Sequence, residues 1–281
     1  MIKLLDTHLH LIYRNECNYE WTKGIPPLAE NDFSLEDYKE LTNSLEVGGC
    51  LFMEADADDF KKETKFIKNL SDDFNSGIKG LIVSIRPEKD EDFDSWLNES
   101  IDMGVVGFRR ILHVAPDDMS QSQTFRNNIN KIGSSGKVFE MCFLQKQLPV
   151  AIELAKSCDN TTMVLNHCGV PDIVGDGLKV WSDHIESLSK IENVNCKLSG
   201  LMAYCAPGTS SYETIEPYVD HVLNTFGPKR IVWGSDWPVV NLGKGLEEWI
   251  SVTRKILDKL SPDESKLIAH ANAEKIYKVS L

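Results

Sequence analysis

The stretch Leu4-Leu5-Asp6-Thr7-His8-Leu9-His10 decides how this 281-residue chain is read. It is the first apolar run, and it ends in His-Leu-His. On a strand, residues two apart share a face. Both imidazoles are therefore expected to point into one site. As the opening strand of a barrel, the segment places the two rings at its C-terminal end, where barrel active sites are built. Two unrelated polar residues at a strand end are the plainer reading of the motif taken alone.

Seven further strand-like runs follow, at 49–54, 79–85, 105–111, 137–143, 162–167, 193–198 and 230–235, after the first at 3–9. Gly80-Leu81-Ile82-Val83-Ser84-Ile85 and Met163-Val164-Leu165-Asn166 are almost wholly apolar, as suits parallel strands covered on both faces. Amphipathic helical patterns alternate with them. Ser34 offers an N-cap with Asp37 three residues on. Further helices are expected over Asp58–Leu70, Asp92–Ile101, Ser122–Ile132, Leu148–Ala155, Trp181–Ile191, Tyr212–Phe226 and Leu246–Leu257, with a terminal piece over Asp263–Tyr277. Eight β/α repeats predict an α/β fold, a (β/α)8 TIM barrel, as one domain over residues 1–281. A doubly wound open sheet is the competing plan, but no GxGxxG follows the first strand.

The net charge of −13 and the lack of a basic stripe argue against nucleic acid and anionic membranes as partners. No apolar run approaches the roughly 20 residues that span a bilayer. The segment Met1-Ile2-Lys3-Leu4 reads as strand, not as a signal peptide. Seven cysteines, an odd number without a CxxC pair, point to free thiols and a reducing, cytoplasmic location. Nothing in the sequence sets an oligomeric state.

Chemistry-bearing residues gather at other expected strand ends. His167 ends the sixth strand and Asp236 follows Gly234-Ser235 at the end of the eighth. If the sheet closes, both meet His8 and His10 at one mouth. His167 is otherwise a buried, backbone-bonded histidine, and Asp236 otherwise an N-cap before Trp237-Pro238. Arg109 and Arg110 sit near the end of the fourth strand, where alternation lets only one face inward. Such a guanidinium suits a carboxylate or polyhydroxy ring; the alternative is a salt bridge within the barrel. Lys197 either binds a substrate oxygen or pairs with a barrel carboxylate. Trp21, Tyr204 and Trp237 are candidates for an aromatic wall or for packing, and His113 for the mouth or an exposed loop.

The patterns Asp-Thr-His-Leu-His (6–10), Leu-Asn-His-Cys-Gly (165–169) and Gly-Ser-Asp-Trp-Pro (234–238) resemble the amidohydrolase superfamily. Asn195-Cys196-Lys197-Leu198-Ser199-Gly200-Leu201, the tract from Glu216 to Val239 and Asn272–Tyr277 are similar to its branch that opens sugar lactones and related cyclic esters, such as fuconolactonase and 2-pyrone-4,6-dicarboxylate lactonase. The resemblance covers essentially the whole chain. It implies a hydrolase that adds water to a lactone carbonyl, with Asp236 as general base and His167 beside it. It also implies substrate contacts from Arg109, Lys197 and Trp237. One divalent ion, zinc first, is implied on His8, His10, His167 and Asp236, or none at all. The chain departs from two-metal members: the fourth strand, Gly107-Phe108-Arg109-Arg110-Ile111, lacks their bridging Lys or Glu, and the fifth, Val138-Phe139-Glu140-Met141-Cys142, has no His. Glu140 is a candidate ligand or a barrel polar group. A decarboxylase or hydratase on the same barrel, and a non-catalytic sugar-acid-binding barrel, are the other classes.

Overall fold

In the computed structural model, which describes residues 2–175 and 177–281, eight parallel strands run in chain order as one sheet. They are β1 (Leu4–Leu9), β2 (Val47–Met53), β3 (Ile78–Ser84), β4 (Gly107–Ile111), β5 (Val138–Cys142), β6 (Met163–Leu165), β7 (Val194–Leu198) and β8 (Ile231–Trp233). Met1, read above as strand, lies outside the described residues; β1 begins at Leu4.

The seam between β1 and β8 is joined by side chains and post-strand backbone. Thr7 donates its hydroxyl to the Trp233 carbonyl at 2.7 Å. The Ser235 amide donates to Asp6 Oδ1 at 2.8 Å. The Asp236 amide donates to the His8 carbonyl at 2.9 Å, and the His10 amide to the Trp237 carbonyl at 2.8 Å. Asp6 also accepts from Tyr38 Oη at 2.6 Å, which ties the seam to the helix Leu35–Thr42. The eight strands thus form a nearly closed TIM barrel.

Aliphatic side chains from Leu5, Leu51, Met53, Ile82, Val138, Val164 and Val232 fill the lower barrel, and Ala273 and Tyr277 of the terminal helix pack onto them. Each such fully buried aliphatic group contributes on the order of 1.5–3 kcal/mol. A second, larger core lies between strands and outer helices and includes Trp181, Trp233 and Trp249, all fully buried.

Helices form where the patterning places them. Ser34 and Asp37 make a reciprocal capping box, and Asp59 caps the helix Phe60–Ser71. The terminal piece runs as Pro262–Lys266, a π turn over Leu267–Ala271, and Asn272–Tyr277. The short helix Asp117–Gln121 was not expected; it is one turn long and carries too few apolar residues to show a period.

Strands β6 and β8 are three residues each, shorter than the patterning predicts. The reason is local. After Leu165 and Asn166, four consecutive residues take positive φ: His167 (51°), Cys168 (54°), Gly169 (73°) and Val170 (45°). Asp236 does the same at 60°. This conformation is uncommon for side chains other than Gly and an outlier for β-branched Val170. Such strain persists where the surrounding structure over-determines it, often at functional sites.

Candidate active site

The end of β1 and the loops after β1, β6 and β8 bring four side chains together at the C-terminal mouth of the barrel. Asp236 Oδ1 lies 3.7 Å from His8 Nε2 and 3.6 Å from His10 Nε2, and Oδ2 lies 3.7 Å from His167 Nδ1. The His8 ring stands 4.8 Å from that of His10 and 4.5 Å from that of His167. All four residues are buried.

Indole N–H groups from outer helices fasten two of the loops. Trp181 donates to the Cys168 carbonyl at 2.8 Å, next to His167. Trp249 donates to the Gly234 carbonyl at 2.9 Å, two residues before Asp236. Two glycines permit the crowding. A Cβ on Gly234 would come 2.7 Å from His8 Cβ. On Gly200, whose φ is +72°, it would come 2.6 Å from His167 Nδ1.

Hydrogen bonds orient the rings. His10 donates Nδ1–H to the Met53 carbonyl at 3.0 Å, which turns its Nε2 toward Asp236. His167 Nδ1 meets Ser199 Oγ at 2.9 Å. His8 sits between Arg109 Nη1, 3.3 Å from its Nε2, and Lys197 Nζ, 3.4 Å from its Nδ1.

Burial, then the Lys197 ammonium, holds His8 well below the usual histidine range. Burial also brings His167 down to about 4. Both imidazoles are therefore neutral near pH 7. Burial pushes the Asp236 carboxyl up, but His167, His10 and Arg109 outweigh it and hold it below its ordinary value. Asp236 is thus a buried carboxylate, and its Oδ2 has no hydrogen-bond partner among the described residues. Its side chain caps no helix among the described residues.

Arg109 is the inward arginine. Its Nε donates to Glu54 Oε1 at 2.6 Å and its Nη2 to the Glu54 carbonyl at 2.6 Å. Arg110 points away and pairs with Glu88 at 3.0 Å. Glu54, at the end of β2, was missed in the sequence, although it ends an apolar run as His167 and Asp236 do. Lys197 lies under the cavity, not in its wall. It donates to the Thr7 carbonyl at 2.9 Å and pairs with Glu140 Oε2 at 2.9 Å. Glu140 also accepts from Asn166 and Tyr277. These three partners make Glu140 a satisfied barrel carboxylate with no free edge toward the histidines. Trp237 corrects an expectation: its ring packs edge-on against Phe33 at 5.4 Å and beside Tyr38 at 5.6 Å, outside the cavity.

The cavity above these groups measures ≈ 260 Å³. His10, Arg109, His167 and Asp236 face it from the strand ends, and Trp21, Ile25, His113, Val114, Tyr204 and Val239 from the loops.

The donor set suits one metal ion. One ligand atom from each of His8, His167 and Asp236 lies within 4.8 Å of the others. Neutral imidazoles and an ionised carboxylate with an open oxygen are the forms that bind metal. A second ion has no comparable group of ligands here among the described residues, since Glu140 is committed to Lys197.

The family model for amidohydrolases matches residues 5–279. The chain belongs to the amidohydrolase family. Among relatives of this amidohydrolase, an L-fucono-1,5-lactonase of Burkholderia multivorans is 24% identical over 287 residues, covering 97% of this chain and 95% of the relative. An L-rhamnono-gamma-lactonase of Scheffersomyces stipitis is 23% identical, covering 99% of each. Among solved structures, an amidohydrolase from Burkholderia multivorans with bound zinc superposes with a TM-score of 0.89 at 22% identity, covering 99% of this chain and 100% of the other.

Proposed function

We propose that this amidohydrolase opens the lactone of a sugar acid, or of a related carboxylic acid, by adding water to the ring carbonyl. The observation that carries the reading is Asp236: a buried, ionised carboxylate with an unpartnered oxygen facing a small-molecule cavity. The lactonase names of the relatives support the same reaction.

The chemistry follows from the chain's own groups. Asp236 Oδ2 accepts a proton from water held between it and the ring carbonyl carbon. The oxygen–carbon bond forms and negative charge develops on the carbonyl oxygen. Arg109 supplies positive charge there: Glu54 occupies its Nε and Nη2 edge, while Nη1 points into the histidine cluster. Fixed donors aimed at developing charge are usually a large catalytic contribution. As the intermediate collapses, Asp236 returns the proton to the ring oxygen, the carbon–oxygen bond breaks and the hydroxy acid leaves. Apolar residues around the mouth limit bulk water, which strengthens each of these interactions.

A divalent ion, zinc on the relative's example, would be held by His8, His167 and Asp236 with His10 Nε2 alongside, and would polarise the carbonyl and acidify water. His8 Nε2 would then release its contact with Arg109.

The test is acid release from L-fucono-1,5-lactone, followed with a pH indicator and by product mass. One hydroxy acid per lactone consumed, at a rate well above the uncatalysed opening, supports the reading. No acceleration with any aldonolactone, together with CO₂ release from an aromatic acid, overturns it.

A further inference from the structure

We propose that a cavity at the N-terminal end of the barrel, opposite the histidine cluster, binds a small multivalent oxyanion of the phosphate or polycarboxylate kind.

The cavity measures ≈ 570 Å³ and lies where β5, β7 and β8 begin. Five cations line it, Lys137, Lys229, Arg230, Lys275 and Lys278, against one carboxylate, Glu192. They come from three places: the turn before β5, the turn before β8, and the terminal helix Asn272–Tyr277 with its cap. None of the five forms an ion pair among the described residues. The whole chain holds 30 Lys and Arg against 43 Asp and Glu. The cavity thus reverses the overall balance, by a cluster assembled in space and not by a basic stripe in the sequence.

The fold holds these charges together without an internal counter-charge. Burial, then the Lys278 ammonium, pulls the Lys137 pKa down. Lys278 ends the terminal helix at φ 56°, and its Nζ donates to the Gly136 carbonyl at 3.4 Å, one residue before Lys137. Arg230 is fixed from behind: its Nη1 donates to the Ile191 and Val194 carbonyls at 3.2 and 3.3 Å, and its guanidinium lies 5.3 Å from the Phe226 ring. Crowded like charges disfavour their own charged forms, and a shared anion relieves that cost.

The walls set the ligand class. No aromatic ring lines the cavity among the described residues, and its apolar side chains are Val138 and Ile276. A nucleobase finds no stacking platform there, so recognition rests on charge. Lysine and arginine heads hold phosphate and carboxylate oxygens through charge-assisted hydrogen bonds. The net charge of −13 repels a long polyanion beyond the cavity, which favours a compact one. Such an anion would tie the terminal helix to the strand ends that it covers.

The test is isothermal titration calorimetry and thermal melting with pyrophosphate and with citrate, in buffers matched for ionic strength with sodium chloride. Binding is expected, with a melting temperature raised by about 2–4 °C near saturation. Tighter binding of pyrophosphate assigns the phosphate kind, and tighter binding of citrate the polycarboxylate kind. Lys137→Gln combined with Lys278→Gln should weaken binding at least about tenfold, because two hydrogen bonds to charged groups are lost. The ligand-free double variant should melt no lower than the parent. Lys275→Gln, at an exposed helical position, should weaken binding several-fold. No binding of either anion, no melting shift beyond that of the matched salt, or an affinity in the double variant within a few-fold of the parent's overturns the inference.

Discussion

Lys197 Nζ lies 2.9 Å from Glu140 Oε2, and both side chains are fully buried. The pair links β7 to β5 across the barrel interior, and Lys197 Nζ lies 3.4 Å from His8 Nδ1. Burial pulls the lysine's pKa down, and Glu140 opposes that shift. Removing one partner of a buried pair leaves the other charge uncompensated, at a cost of about 3–5 kcal/mol. Lys197→Met should therefore lower unfolding free energy by about that amount in a denaturant titration. Lys197→Met combined with Glu140→Gln should recover much of the loss. A single variant as stable as the parent would show that the pair contributes nothing.

Gly200 approaches His167 so closely that no side chain fits between them. Gly200→Ala pushes the His167 ring out of place and also strains a backbone at φ +72°. Shifts of about 1 Å from a reacting geometry cost on the order of 100-fold in rate. The expected result is a kcat loss of that order with a melting temperature only a few degrees lower. Unchanged kcat would remove His167 from the working site.

Glu63 is buried, and its carboxyl accepts the Ala55 amide at 3.3 Å. Burial, reinforced by neighbouring Glu54, raises its pKa well above the ordinary glutamate value of 4.5. The folded protein therefore holds a proton that the unfolded chain has lost. Stability from this group is fully present below about pH 4.5 and declines as pH rises through the folded pKa. Glu63→Gln has no such charge to bury. Its melting temperature should exceed the parent's at pH 7–8, and the gap should close toward pH 4. Parallel melting curves for the two proteins across that range would contradict the assignment.

The barrel was legible because its signal is local and repeated. All eight strands occur where apolar runs predict them, and the first connecting helix carries its expected cap, Ser34 with Asp37. His8, His10, His167 and Asp236 were found by one rule: polar residues at the C-terminal ends of strands. The rule extends to Glu54, whose meaning became plain only with its partner Arg109, 55 positions away. Through-space pairs leave no spacing to read. Lys197 shows the same limit, since its sequence position does not reveal that Glu140 waits across the barrel. Trp237 takes the packing alternative: β8 ends at Trp233, Asp236 turns the chain at φ 60°, and the indole lies against Phe33 and Tyr38. The contraction of β6 has the same origin in the left-handed run His167–Val170.

The central claim is that Asp236 moves the proton in lactone opening, and steady-state hydrolysis of L-fucono-1,5-lactone by the parent and Asp236→Asn tests it most directly. Positioned general bases contribute typically about 100- to 10,000-fold. A kcat loss in that range, with the melting temperature and far-ultraviolet circular dichroism preserved, is the predicted result. Turnover by the Asn variant within a few-fold of the parent would contradict the account.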